Sequence, residues 1–230
     1  MNECWVCIGH SHVAALAKAM DPDLDALNFW ETGDPWLVRD GATHLRDDLA
    51  ERVAKGRLVL SSVGGSAHTV LGTVEHPRPF DFILPSQPNL PLDDSRDIVP
   101  ADAVREKLLE MTTPYLDTLA ALKQSATAPV VHLEPPPPVA DTDLIAARIP
   151  WVFYPGQPHV IAPKWLRYKV WRLHCEVIAA ACARHGVALA RAPAASMDQE
   201  GFLHPDFNED GAHANGAYGA LVLKTLRNRA

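Results

Sequence analysis

Cys4-Trp5-Val6-Cys7-Ile8-Gly9-His10-Ser11-His12 is the stretch on which the reading of this chain turns. The apolar run Cys4–Ile8 is too short for a helix and is closed by a glycine, so it predicts a buried first strand. Val13, Ala14, Leu16, Ala17 and Met20 then supply an apolar stripe, which predicts a helix over Ser11–Met20. Ser11 thus stands where a strand gives way to a helix. There, unpaired backbone N–H groups and the positive dipole end favour an alkoxide or a developing oxyanion. Taken alone, a serine at this point is more often an N-cap.

Near the other end of the chain stands Asp210-Gly211-Ala212-His213. The spacing puts a carboxylate one turn before an imidazole. Asp210 can accept the Nδ1–H, fix the tautomer and leave Nε2 to take a proton from a serine. Alone this motif too reads as a cap beside a surface histidine. Ser11 and Asp210/His213 together are the two halves of a Ser-His-Asp apparatus, which the fold must bring together.

Strand and helix signals alternate between these halves. Ala26–Trp30 predicts a second strand, Thr32–Pro35 a turn, Leu45–Lys55 a helix ended by Gly56, and Arg57–Val63 a third strand broken at Gly64-Gly65. Ala101–Gln124 predicts a long helix bent at Pro114, and Ala128–Leu133 a strand stopped by Pro135–Pro138. Trp165–His185 predicts an amphipathic helix, Val187–Ala190 a last strand and Ala217–Arg227 a closing helix. This rhythm implies βαβ units around a mostly parallel sheet of about five strands in one domain spanning residues 1–230. Such sheets carry their sites at the strands' carboxyl ends. Ser11, the Gly64-Gly65-Ser66-Ala67-His68 turn and the approach to Asp210 all fall there. Two aromatic-bearing segments, Pro77–Pro100 and Pro150–Lys164 (with Trp151, Phe153, Tyr154 and His159), are equally readable as substrate-shaping loops or as structural packing.

Composition bounds the function classes. Of 230 residues, 47% are hydrophobic and 21% charged, as expected of a globular domain. A net charge of −7 argues against nucleic acid or an anionic membrane as main partner. No apolar run approaches a membrane span, and the first residues lack the basic and apolar regions of a signal peptide, so a cytoplasmic location is expected. Cys4 and Cys7 fall in a strand with side chains facing opposite ways, and Cys175 and Cys182 fall on one helix face. All four read as structural.

The motifs resemble those of SGNH/GDSL-type hydrolases, a family of esterases, lipases, thioesterases and carbohydrate acetylesterases. Ile8-Gly9-His10-Ser11-His12 is similar to the family's first block, Leu60–His68 to its third, and Asp210–Gly219 to its fifth. The resemblance implies a flavodoxin-like three-layer α/β/α sandwich with Ser11 as nucleophile, His213 as base and Asp210 as orienter. It further implies that Gly33, Gly65, Ser66 and His68 are the candidates for oxyanion and substrate binding. Two departures stand out: Ser66 occupies the place of the oxyanion-hole asparagine, and the second-block glycine is either Gly33 or Gly41.

The expected activity is therefore serine-dependent hydrolysis or transfer of an O-acyl group. The substrate expected is a small-molecule or glycan ester, with no cofactor and no nucleic-acid partner. A G-x-S-x-G elbow is excluded because Val13 stands where its second glycine belongs. Two alternatives remain open. One is a metal-dependent hydrolase in which His10 and His12 share a cation. The other is a weakly catalytic glycan- or acyl-binding protein.

Overall fold

The computed structural model describes residues 4–33, 35–149 and 159–228. In chain order its elements begin β1 (Trp5–Gly9), α1 (Val13–Ala17), β2 (Leu24–Asn28), α2 (Phe29–Thr32), β3 (Leu37–Arg39), β4 (Thr43–Leu45) and α3 (Asp47–Ala54). Next come β5 (Leu58–Ser62), α4 (Ala67–Gly72), β6 (Phe80–Asp81), β7 (Asp97–Ile98), α5 (Ala101–Ser125) and β8 (Val130–Leu133). The chain closes with α6 (Thr142–Arg148), α7 (Lys164–Arg184), β9 (Ala188–Ala190) and α8 (Gly216–Arg227).

Five of the strands make one parallel sheet in the order β2-β1-β5-β8-β9. Alternation along each strand assigns its faces, because successive side chains point to opposite sides. Trp5, Cys7 and Leu60 pack with α1, α6 and α8, while Val6, Ile8 and Val59 pack with α3, α5 and α7. The result is the expected three-layer α/β/α sandwich. From β1 the chain steps to β2 on one side, then crosses back to β5 on the other. The carboxyl ends of β1 and β5 therefore flank the point where the strand order reverses, the crevice in which such sheets bind ligands.

Several elements differ from their sequence-predicted form. Helix α1 ends at Ala17, and Met20 is 86% exposed with φ +54°, so it does not join the apolar stripe. The chain reverses here towards Leu24, and Met20 closes that reversal with its N–H on the Ala17 carbonyl. The second strand lies two residues earlier than expected, at Leu24–Asn28. The third helix starts at Asp47 because Leu45 pairs with Leu37 in an antiparallel hairpin. Helix α5 runs through Pro114. Helix α7 is buried on most of its surface, Arg167, Lys169 and His174 included, and so is not simply amphipathic.

The proline-rich segment is anchored in the core. Phe82 and Leu84 are fully buried against α5 and α7. Beneath them Lys169 Nζ meets Asp81 Oδ1 at 2.5 Å and donates to the Pro91 carbonyl at 3.0 Å. Asp81 also accepts the N–H groups of Phe82 and Asp93. A buried charge pair is tolerated when its remaining lone pairs and protons are satisfied in this way. All four cysteines are free; Cys4 and Cys7 serve opposite faces of the sheet. Cys175 and Cys182 pack into different parts of the core. Of Pro150–Lys164, residues 150–158 with Trp151, Phe153 and Tyr154 lie outside the described residues.

Candidate active site

The two ends of the chain meet because α1 and α8 touch backbone to backbone. A Cβ on Gly219 would lie 2.0 Å from the Ala15 carbonyl oxygen, and one on Gly216 would lie 2.8 Å from that of Lys18. Only glycine permits this approach. Lys18 and Glu209 add an ion pair across the same junction at 2.8 Å. The loop before α8 is itself tied down. Asn215 caps the helix by accepting from the Tyr218 N–H, and its amide donates to the Asp206 and Asn208 carbonyls.

Within that loop the Asp210 carboxylate contacts His213 Nδ1 at 2.9 and 3.1 Å and accepts the backbone N–H groups of Ala212 and His213. Burial works to raise the Asp210 pKa. The bonds from His213 and the two N–H groups outweigh it, and the carboxyl sits below its ordinary range. An ionised acceptor at Nδ1 leaves Nε2 of His213 for proton transfer. Gly211, with φ +88° and its Cβ position 3.0 Å from the Ile145 backbone, makes the turn between the two possible.

Ser11 occupies the turn after β1, closed by the Val13 N–H on the His10 carbonyl at 3.0 Å. The N-cap of α1 is His12, not Ser11, so the hydroxyl of Ser11 is not the cap of this helix. Ser11 and His213 line one cleft of about 530 Å³. Ser66 and Thr69 border the same cleft from the start of α4, and Tyr115 from α5. Ser66 precedes α4 as N-cap yet makes no side-chain capping bond, so its hydroxyl is not consumed by the helix. Gly64 has φ +70°, and a Cβ there would press on Thr112 and Tyr115 at 3.2 Å. Gly65 is held tighter: a Cβ would lie 2.8 Å from His12 Cδ2.

The other candidates lie elsewhere. Gly33 is an exposed turn residue with φ +73° whose carbonyl accepts from Arg46, and it does not line the cleft although Phe29 and Pro35 do. Gly41, the other second-block candidate, is likewise an exposed turn glycine with φ +112°. His68 points inward. The Thr112 hydroxyl donates to the Leu108 carbonyl and so accepts His174 Nε2–H at 3.1 Å; His174 Nδ1 then accepts from His68 Nδ1–H at 3.1 Å. Burial pushes both imidazoles well down, His174 to about 3, so they are neutral structural groups.

His10 and His12 diverge. His10 sits among the rings of Phe29, Trp36 and Tyr115 at centroid distances of 4.9, 5.2 and 4.7 Å. His12 is buried with Nε2 3.2 Å from the Gly65 carbonyl. Among the described residues no three His, Cys, Asp or Glu side chains gather as a metal ion would require. Sequence reasoning missed the ring cluster around His10, because Phe29, Trp36 and Tyr115 belong to three separated segments with no shared motif. No described helix is long and apolar enough to cross a membrane.

No family model matches the chain, and no curated protein matches it in sequence. Solved structures similar to it include a GDSL-like lipase from Bacteroides thetaiotaomicron (12% identity, TM-score 0.45, covering 99% of this chain and 87% of that one). A carbohydrate acetylesterase from Sinorhizobium meliloti is similar at 11% identity and TM-score 0.45, over 99% and 97% of the two chains. The periplasmic domain of a Salmonella Paratyphi A lipopolysaccharide acetyltransferase is similar at 11% identity and TM-score 0.48, over 99% and 83%.

Proposed function

We propose that this chain is a serine-dependent ester hydrolase or acyl transferase with Ser11, His213 and Asp210 as its triad. The observation that carries the reading is the hydrogen-bonded His213–Asp210 pair lining the same cleft as Ser11. In the reaction Ser11 Oγ attacks the ester carbonyl while His213 Nε2 takes its proton. The tetrahedral oxyanion is held by the backbone N–H groups of Ser11 and Gly65 with the Ser66 hydroxyl. His213 then gives its proton to the leaving alcohol, and water or an acceptor hydroxyl releases the acyl group from Ser11. Partly exposed Phe29 and Tyr115 in the cleft wall support an alcohol moiety that carries a sugar or other ring. Hydrolysis of a chromogenic acetate ester by the wild type, with loss in His213→Ala, tests the reading. Full turnover in His213→Ala would overturn it, and ring-compound binding without turnover would favour a binding protein.

A further inference from the structure

We propose that His12 is a positioning residue that holds the Gly64-Gly65-Ser66 turn against the nucleophile turn, and so sets the oxyanion donors of the proposed ester chemistry. The inference rests on that reading of the site. Its foundation is geometric. His12 follows Ser11 directly, is 8% exposed, and puts Nε2 3.2 Å from the Gly65 carbonyl. A carbonyl only accepts, so Nε2 carries the proton and the tautomer is fixed. The ring fills the space a Cβ on Gly65 would need, 2.8 Å from Cδ2. One side chain therefore couples the turn after β1 to the turn after β5 across the sheet's switch point, and these two turns carry every oxyanion donor named above.

Packing alone does not account for a histidine here. Its other nitrogen, Nδ1, is buried with no hydrogen-bond partner among the described residues. A buried polar atom left unmade is destabilising, and an apolar side chain of similar size would avoid that. A residue that breaks a local rule of stability beside a reactive serine is the pattern expected of function. Neutrality suits the role as well. The His12 and His213 rings are 6.0 Å apart. Burial, followed by the neighbouring His213, lowers His12 to about 4, so it adds no positive charge when His213 takes the serine proton.

The test compares His12→Leu, which removes the donor, with His12→Gln, whose amide N–H reaches about as far as the imidazole Nε2. Three readouts are taken: ester kinetics, thermal melting, and hydrogen exchange of the amides of residues 64–67. Expected for His12→Leu are kcat lower by ~10–10²-fold with KM within twofold, a melting temperature little changed because relief of the unpaired Nδ1 offsets the Gly65 carbonyl left without its donor, and faster exchange in that turn. His12→Gln should restore most of kcat and of the protection. The proposal is overturned if His12→Leu keeps wild-type exchange at 64–67. It is equally overturned if kcat and melting temperature fall together and Gln rescues neither. Should the wild type itself hydrolyse no ester, the proposed activity fails on its own, and the exchange comparison still decides whether His12 holds the turn.

Discussion

Replacing Gly219 by alanine sets two well-measured effects against each other. Alanine is favoured over glycine inside a helix by ~1 kcal/mol, so on propensity α8 should gain stability. The new Cβ, however, would lie 2.0 Å from the Ala15 carbonyl oxygen, 2.5 Å from its carbon and 2.9 Å from Leu16 Cα. All three are backbone atoms, with no side-chain rotamer to move away. Relief needs α8 to withdraw from α1 by roughly 1.4 Å to reach ordinary contact at 3.4 Å. Overpacking of this kind costs ~1–3 kcal/mol, and because only backbone is in the way the upper end applies, so that after the propensity gain a net loss of up to ~2 kcal/mol remains. In a domain this size that lowers the melting temperature by up to about 8 °C. The His213 loop leads straight into α8 and moves with it, and a misplacement near 1 Å costs ~10² in rate. Ala220→Gly, on the exposed side of the same helix, is the control: it loses ~1 kcal/mol of propensity but keeps its turnover. Urea denaturation and ester kinetics on both variants decide. A Gly219→Ala protein as stable and as active as wild type would refute the claim that this contact sets the site.

Asp210→Asn keeps an acceptor for the backbone N–H groups of Ala212 and His213 but offers His213 Nδ1 a donor, so the tautomer reverses; turnover should fall by up to ~10⁴ with the fold retained, checked by kinetics beside circular dichroism. Ser66→Asn should raise kcat on a small activated ester, by up to ~10², because the longer carboxamide reaches further into the cleft from a position whose hydroxyl caps nothing. A lower or unchanged kcat would put the oxyanion on backbone donors alone. Buried His12 and His132 are each lowered from 6.5 to about 4, chiefly by burial. The unfolded chain therefore binds their protons first as pH falls, and their contribution, complete above pH 6.5, is lost on descending towards pH 4. Each histidine adds a slope of up to ~1.4 kcal/mol per pH unit, so urea midpoints should drop steeply below pH 6.5. Midpoints flat from pH 7 to pH 4.5 would contradict the burial of these rings.

The centre of the sheet was legible because β1, β5 and β8 are short apolar runs stopped by glycine or proline, and a strand buried on both faces leaves that mark whatever surrounds it; β2, Leu-Asp-Ala-Leu-Asn and only part-buried, lacks it and was placed two residues late. Helix α4 and the β3–β4 hairpin escaped detection: six residues or fewer show no period, and their stability comes from neighbours. Lys169 and Asp81 illustrate the same limit, since nothing in either local sequence announces a partner so distant along the chain. Ser11, Asp210, His213 and Ser66 could be proposed from sequence because each falls at a strand end or in a compact motif; Gly65 met the same criterion but lies beside the cleft and does not line it. His68 satisfied that criterion equally well, yet its ring turns inward to His174, for which no short-range signal exists. His12 entered the sequence reading as part of the first block, as a possible metal ligand and as a fallback base, never as a partner of Gly65. Its hold on Gly65 depends on the β1–β5 crossover, which is a property of topology.

The central claim is that Ser11 is a nucleophile activated by His213, and covalent trapping tests it most directly. The protein is treated with a fluorophosphonate, digested, and the modified peptide mapped by mass spectrometry. A single adduct on Ser11 is predicted, absent from Ser11→Ala and formed far more slowly in His213→Ala. Both variants should fold, since the N-cap of α1 is His12 and Ser11→Ala removes ~1 kcal/mol at most. An adduct on any other serine, or undiminished labelling of Ser11→Ala, would contradict the account.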